Sequence, residues 1–123
     1  MAWKALATLA EVLQEPKTPI VRDAAIQRFE YTFEALWKAA QLHLKVLESL
    51  ETGSPKSAIR ASMRVGLLTE EQTRMALQMA DDRNLTVHTY NEELAEAIYS
   101  NIPGYTSLMG SWLEAMIHQL ERT

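Results

Sequence analysis

One stretch without glycine or proline runs from residue 20 to residue 52, and it limits the possible folds more than any other feature. Apolar side chains recur in it every three or four residues, the spacing of one helix face: Ile26, Phe29, Phe33, Leu36, Trp37, Ala40, Leu44, Leu47 and Leu50. At about 1.5 Å per residue, a helix from Pro19 to Leu50 would be about 48 Å long. In a chain of 123 residues this predicts the central helix of a bundle, with Thr18 as its cap and Gly53 as its stop.

The rest of the chain also carries helical patterns, separated by start and stop signals. They cover about residues 2–14, 55–65, 70–83, 92–102 and 104–120. Capping-box patterns begin at Thr69 and Thr89, Gly66 ends the second segment, and Pro103 is expected to break or kink the last long run. Since no strand pattern is present, we predict an all-α fold, an antiparallel up-and-down helical bundle of five to six helices forming a single domain over residues 1–123.

Composition narrows the class of protein. The net charge is −4, whereas a non-specific nucleic-acid binder is basic overall, so any RNA contact must come from a local patch. The absence of cysteine excludes disulfides, thiolate nucleophiles and thiolate zinc sites. We find no signal peptide and no apolar run of about 18 residues, which predicts a cytoplasmic protein without a membrane segment. Without metal-ligand spacing or a glycine-rich phosphate loop, we expect neither a metal nor a cofactor.

The candidate functional residues lie in residues 81–90, where Arg83, His88 and Tyr90 fall within eight positions. On an unbroken helix the side chains of Arg83 and His88 would be about 140° apart. The polar residues between them, and the capping pattern that follows, predict a helix break that lets both face one groove. A fixed cation beside a titratable imidazole suits phosphate chemistry. The alternative is an arginine in a last helical turn, paired with an adjacent aspartate, beside an ordinary surface histidine.

A second candidate surface is basic. Lys56, Arg60 and Arg64 recur every four residues and therefore lie on one helix face, and no acidic residue occurs from Thr52 to Thr69. This face can contact the phosphate backbone of RNA, bind an acidic partner, or remain solvated. The sequence does not separate these three interpretations.

Three ordered blocks resemble a known family. They are residues 25–38, residues 54–68 with Ser54-Pro55-Lys56 at their start, and residues 82–90, Asp-Arg-Asn-Leu-Thr-Val-His-Thr-Tyr. Together they are similar to the bacterial and archaeal nucleotidyltransferase substrate-binding proteins of the HEPN superfamily. The resemblance covers about residues 19–100.

The resemblance implies a helical bundle that pairs as a homodimer and works with a minimal nucleotidyltransferase as its partner protein. In characterised members of the superfamily the motif that Arg83 and His88 match forms a metal-independent ribonuclease, and the two proteins act as toxin and antitoxin. Asn84, which follows the arginine, is the predicted supporting residue. Tyr90 occupies the position at which the nucleotidyltransferase adds AMP and silences the toxin.

The chemistry of RNA cleavage agrees with these roles. Attack by the 2′-hydroxyl needs a base, a cation for the crowded phosphorane and an acid for the leaving 5′-oxygen, and the product is a 2′,3′-cyclic phosphate. One chain supplies one histidine in this motif, so we predict a two-fold dimer with the motif at its interface. The rival prediction is a non-catalytic substrate-binding subunit of a two-component nucleotidyltransferase. A third is a plain scaffold.

Overall fold

Five α-helices and one short 3₁₀ turn make up the computed structural model, which describes residues 1–122. The helices are α1 (Ala2–Leu13), α2 (Pro19–Glu48), α3 (Pro55–Arg64), α4 (Glu70–Leu85) and α5 (Glu92–Glu121), with the 3₁₀ turn (Thr86–His88) before α5. No strand occurs in the described part of the chain. The predicted all-α helical bundle is therefore confirmed. No helix within residues 1–122 is long and apolar enough to cross a membrane.

The two 30-residue helices, α2 and α5, form the frame of the bundle and run in the same direction. Arg22 near the start of α2 bonds Glu92 and Glu96 at the start of α5. Near the other ends, the imidazole of His43 is hydrogen-bonded to Gln119. Contacts at both ends fix the register of the two helices, so each face of the frame presents a defined set of side chains to the shorter helices.

The connection from α2 to α3 returns along α2. Gln41 donates a hydrogen bond to the carbonyl of Thr52, and the first residues of α3 reach the level of Phe33. From there α3 runs toward the C-terminal half of α5, where the buried indole of Trp112 donates to the hydroxyl of Ser62 at 3.1 Å. The return places the start of α3 beside the end of α4.

The core is filled by the apolar faces of all five helices. The largest fully buried side chains include Phe29, Phe33, Tyr105 and Trp112, and the rings of Phe29 and Tyr105 stack with centroids 5.6 Å apart. Fully burying a large apolar side chain contributes about 1.5–3 kcal/mol, so this aromatic cluster holds α2 against α5.

Some of the predicted helix caps and stops are confirmed, but the stop predicted at Gly53 is wrong. Thr18 caps α2 and Thr69 caps α4 as expected, and Gly66 ends α3 with a φ of 84°. Gly53, however, does not stop α2. The helix ends at Glu48 because Ser49 adopts a left-handed conformation with a φ of 56°, and the amide of Leu50 then bonds the carbonyl of Leu44.

The helix break expected at Pro103 is absent, since α5 continues through it. A proline inside a helix loses one backbone hydrogen bond and costs about 3 kcal/mol. Its neighbours Ile102 and Tyr105 are buried in the core, and their packing holds the helical path on both sides of the proline. Core packing therefore outweighs the local preference at this position.

Candidate functional site

The predicted helix break between Arg83 and His88 is present. The α-helix α4 ends at Leu85, and the chain tightens into the 3₁₀ turn Thr86–His88 before α5 begins. The capping box expected at Thr89 is wrong, because Asn91 caps α5 by accepting a hydrogen bond from the amide of Leu94 at 3.1 Å. Thr89 instead donates to the carbonyl of Thr86, which stabilises the turn.

Arg83 lies in the last turn of α4, and its partners come from α2. Its Nη1 is 3.7 Å from Glu30 Oε2, and its Nη2 is 3.9 Å from Glu34 Oε1. The hydrogen bond that its Nη1 donates to the hydroxyl of Thr86 is long, at 3.4 Å. Its Nε is buried and has no acceptor within residues 1–122. Most of the five guanidinium donors are therefore unused.

The two aspartates beside Arg83 have other partners, which corrects the alternative that one of them pairs with it. Asp81 forms an ion pair with Lys56 at 2.6 Å. Asp82 accepts hydrogen bonds from Tyr105 at 2.6 Å and from Asn101 at 3.2 Å. Burial and this bond to Asp82 raise the pKa of the Tyr105 phenol, so the phenol remains a donor and anchors the end of α4 to α5.

His88 and Tyr90 lie between α4 and α5, on the surface. His88 is exposed, and its Nδ1 is 3.3 Å from the hydroxyl of Tyr90, whose ring meets the imidazole edge-on. Tyr90 is 82% exposed. The phenol is therefore open to a large reagent.

A cavity of about 340 Å³ lies between α2, α3 and the end of α4. Its polar lining comes from Glu34, Ser54, Lys56, Arg83 and Asn84. His88 is not part of this lining. Within one chain, Arg83 therefore lines this cavity, whereas His88 is exposed at the end of the 3₁₀ turn.

Sequence comparison identifies the family. The model of the family described as "Nucleotidyltransferase substrate binding protein like" matches residues 2–118. The chain belongs to this family. The match includes the first helix and most of α5, which lie outside the blocks that suggested the resemblance.

Individual relatives agree with this assignment. A protein from Thermus thermophilus of known crystal structure is 57% identical and superposes with a TM-score of 0.91, covering 94% of this chain and 98% of that one. The probable ribonuclease HepT of Haemophilus influenzae is 33% identical over 85 residues, 66% of this chain. The match spans 57% of that relative's length.

A more distant structure supports the fold alone. HI0074 from Haemophilus influenzae, described as having the fold of a substrate-binding domain of a nucleotidyltransferase, is 22% identical with a TM-score of 0.75. The superposition covers 94% of this chain and 96% of that one.

The three basic residues of α3 lie in two different environments. Lys56, at the start of the helix, lines the cavity and pairs with Asp81. Arg60 and Arg64 are exposed farther along α3, and no ion pair to them occurs within residues 1–122. The structure thus brings Lys56 together with Arg83 and leaves the two arginines on the surface.

The sequence prediction missed Glu30 and Glu34 as parts of the site. Both lie on α2 four residues apart, a spacing that places them on one helix face, so a paired-carboxylate signal was present. Their partner is about fifty positions away along the chain, and such a long-range pairing has no local signature. No group of three or more histidine or acidic residues suited to a metal occurs within the described residues.

Proposed function

We propose that this protein is a HEPN-type toxin, a metal-independent endoribonuclease whose activity a minimal nucleotidyltransferase antitoxin controls. The observation that carries the proposal is Arg83, a cation with unused hydrogen-bond donors, one 3₁₀ turn away from an exposed histidine. Membership of the family and the similarity to a probable ribonuclease support it.

The reaction needs two kinds of side chain, histidine and arginine, and both occur in the motif of this chain. A histidine takes the proton of a ribose 2′-hydroxyl, and the 2′-oxygen forms a bond to phosphorus. The bond from phosphorus to the 5′-oxygen breaks, and a protonated histidine supplies the proton to that oxygen. Arg83 remains charged and stabilises the phosphorane by two parallel hydrogen bonds. The products carry a 2′,3′-cyclic phosphate and a 5′-hydroxyl.

One chain does not complete this set. His88 lies outside the cavity that Arg83 lines, and each chain has only one histidine in the motif. A two-fold dimer with residues 83–90 at its interface would bring two arginines and two histidines into one cleft. The acid and the base are then the His88 side chains of the two protomers.

Control by the partner acts through Tyr90. The phenolic oxygen attacks the α-phosphorus of ATP held by the nucleotidyltransferase, pyrophosphate leaves, and the phenolic proton is lost. Tyr90 is 82% exposed and its hydroxyl is 3.3 Å from the His88 ring, so the added AMP would place a negative charge and a nucleoside against the proposed acid–base group.

A non-catalytic substrate-binding subunit is the second candidate. The observation in its favour is electrostatic: the chain is acidic, and Glu30 and Glu34 already lie beside Arg83. Growth of cells that express the protein separates the two functions. Toxicity that is lost in Arg83→Ala and His88→Ala supports the nuclease, whereas harmless expression supports the binding subunit.

Incubation of the purified protein with RNA in EDTA tests the proposal directly. We expect the wild type to cut and His88→Ala to be slower by about 10²–10⁴-fold, since the variant lacks the acid–base group. His118→Ala is the matched control, because His118 lies on α5 away from the motif, and it should cut like the wild type. Wild-type cleavage no faster than that of His88→Ala would contradict the proposal.

A further inference from the structure

Two cationic side chains line the cavity between α2, α3 and the end of α4, and their present partners are easily replaced. Lys56 is paired with Asp81 at 2.6 Å, but the side chains are 41% and 60% exposed. An exposed ion pair of this kind contributes about 0–1 kcal/mol, so Lys56 can change partners at small cost.

Arg83 is also held loosely. Its nitrogens lie 3.7 Å and 3.9 Å from the oxygens of Glu30 and Glu34, which is within ion-pair range but beyond hydrogen-bond length. A buried donor without an acceptor, as the Nε is here, costs about 1–3 kcal/mol. The guanidinium therefore gains hydrogen bonds when a group with several acceptor oxygens reaches it.

Arg22 shows what a fully engaged arginine in the same chain looks like. Its Nε is 3.0 Å from Asp23, and its Nη1 is 2.7 Å from Glu92 and 3.0 Å from Glu96. Its side chain is 5% exposed, against 24% for Arg83. Arg22 therefore stabilises the fold, whereas Arg83 has donors with which it can bind a ligand.

Glu34 can release Arg83 without becoming unpaired. Its Oε2 accepts a hydrogen bond from the indole of Trp37 at 3.3 Å and lies 3.9 Å from the ammonium of Lys38. Its other oxygen, Oε1, is the one that faces Arg83. A competing anion in the cavity would therefore displace one weak contact and leave the carboxylate with two partners on its own helix.

We infer that this cavity is a phosphate subsite for the RNA strand, in which Lys56 and Arg83 receive one backbone phosphate and Glu34 is the competing anion that the phosphate displaces. The inference rests on the proposed function, since it takes RNA as the ligand. It extends that function by assigning Lys56 and Glu34, two residues outside the Arg83–His88 motif, opposite effects on substrate binding. Asn84, on the same wall, supplies an amide donor for a phosphate oxygen.

Binding of a short, fluorescein-labelled single-stranded RNA to variants that also carry His88→Ala tests this subsite without cleavage. Lys56→Ala should weaken binding about five-fold or more and reduce the slope of log affinity against log salt by about 0.7, the loss of one phosphate contact to a single strand. Glu34→Gln should strengthen binding about three-fold or more, because the competing charge is gone while the side-chain shape is kept.

Lys45 and Glu51 provide matched controls at the far end of α2. They form an exposed ion pair at 3.9 Å, so Lys45→Ala and Glu51→Gln make the same charge changes away from the cavity. Both should alter RNA affinity less than about two-fold. Equal effects of Lys56→Ala and Lys45→Ala would overturn the subsite, and so would ATP binding to the cavity in place of RNA. If the wild type did not cleave RNA in EDTA, the proposed nuclease would be contradicted. The RNA-binding measurements would still test the phosphate subsite, because they do not depend on cleavage.

Discussion

At the scale of single residues, the site depends on how completely each polar group is already paired. Arg22 and Asp82 have close hydrogen-bond partners on other helices and hold the fold. Arg83 keeps unused donors, and Tyr90 and His88 are exposed with only each other as side-chain partners within the described residues. Arg83, His88 and Tyr90 can therefore bind a ligand or be modified without unfolding the protein.

Tyr90→Phe should abolish modification and leave the fold intact. The variant lacks the nucleophilic oxygen, and substitution of so exposed a side chain changes the free energy of unfolding by less than about 0.5 kcal/mol. Mass spectrometry after incubation with the nucleotidyltransferase and ATP should show gains of one AMP in the wild type and none in the variant. Tyr31→Phe, which removes a hydroxyl bonded to Thr8, should still be labelled. AMP on Tyr90→Phe would show that another residue is the acceptor.

At the scale of helices, the charged contact between the starts of α2 and α5 makes stability depend on pH. Hydrogen bonds from Arg22 hold the pKa of the Glu92 carboxyl below its ordinary value, and bonds from Lys17 and Arg22 do the same for Glu96. Because the folded pKa values are lowered, the unfolded chain takes up protons at higher pH. The stabilisation is complete above the ordinary glutamate pKa of about 4.3 and is lost as the pH falls through the lower folded values.

Arg22→Met should therefore be less stable than the wild type at about pH 6, and the difference should shrink by about pH 3.5. Urea unfolding midpoints at several pH values measure it. Arg74→Met removes an exposed pair with Glu70 on α4 and should leave the pH dependence nearly unchanged. The assigned ion pairs would be contradicted if the difference in stability between the wild type and Arg22→Met stayed constant between these pH values.

The sequence predicted the helices better than their ends. Apolar periodicity indicated α2 and α5 because core burial itself imposes that spacing. The end of α2 at Ser49 and the passage of α5 through Pro103 depend on packing between distant segments, which no local signal reports. Arg83, Asn84, Lys56, His88 and Tyr90 could be selected from their chemistry. The pairing of Arg83 with Glu30 and Glu34, and the outward position of His88, required the folded chain.

At the scale of the whole molecule, the proposed nuclease site is shared between two protomers. Within one chain His88 does not line the cavity of Arg83, and a single imidazole does not serve as base and acid in the same step. In the proposed two-fold dimer, the partner protomer supplies the second imidazole, so one cleft contains both a base and an acid beside the two arginines. It also means that one modified Tyr90 would disturb a cleft that serves both protomers.

The most direct test is RNA cleavage in EDTA by a mixed dimer with one wild-type and one His88→Ala protomer, isolated through two different affinity tags. A cleft that needs both imidazoles loses its acid or its base in this dimer, so we expect activity close to that of the doubly substituted His88→Ala dimer. Activity near half that of the wild type would show that each chain carries a complete site, and it would contradict the shared site.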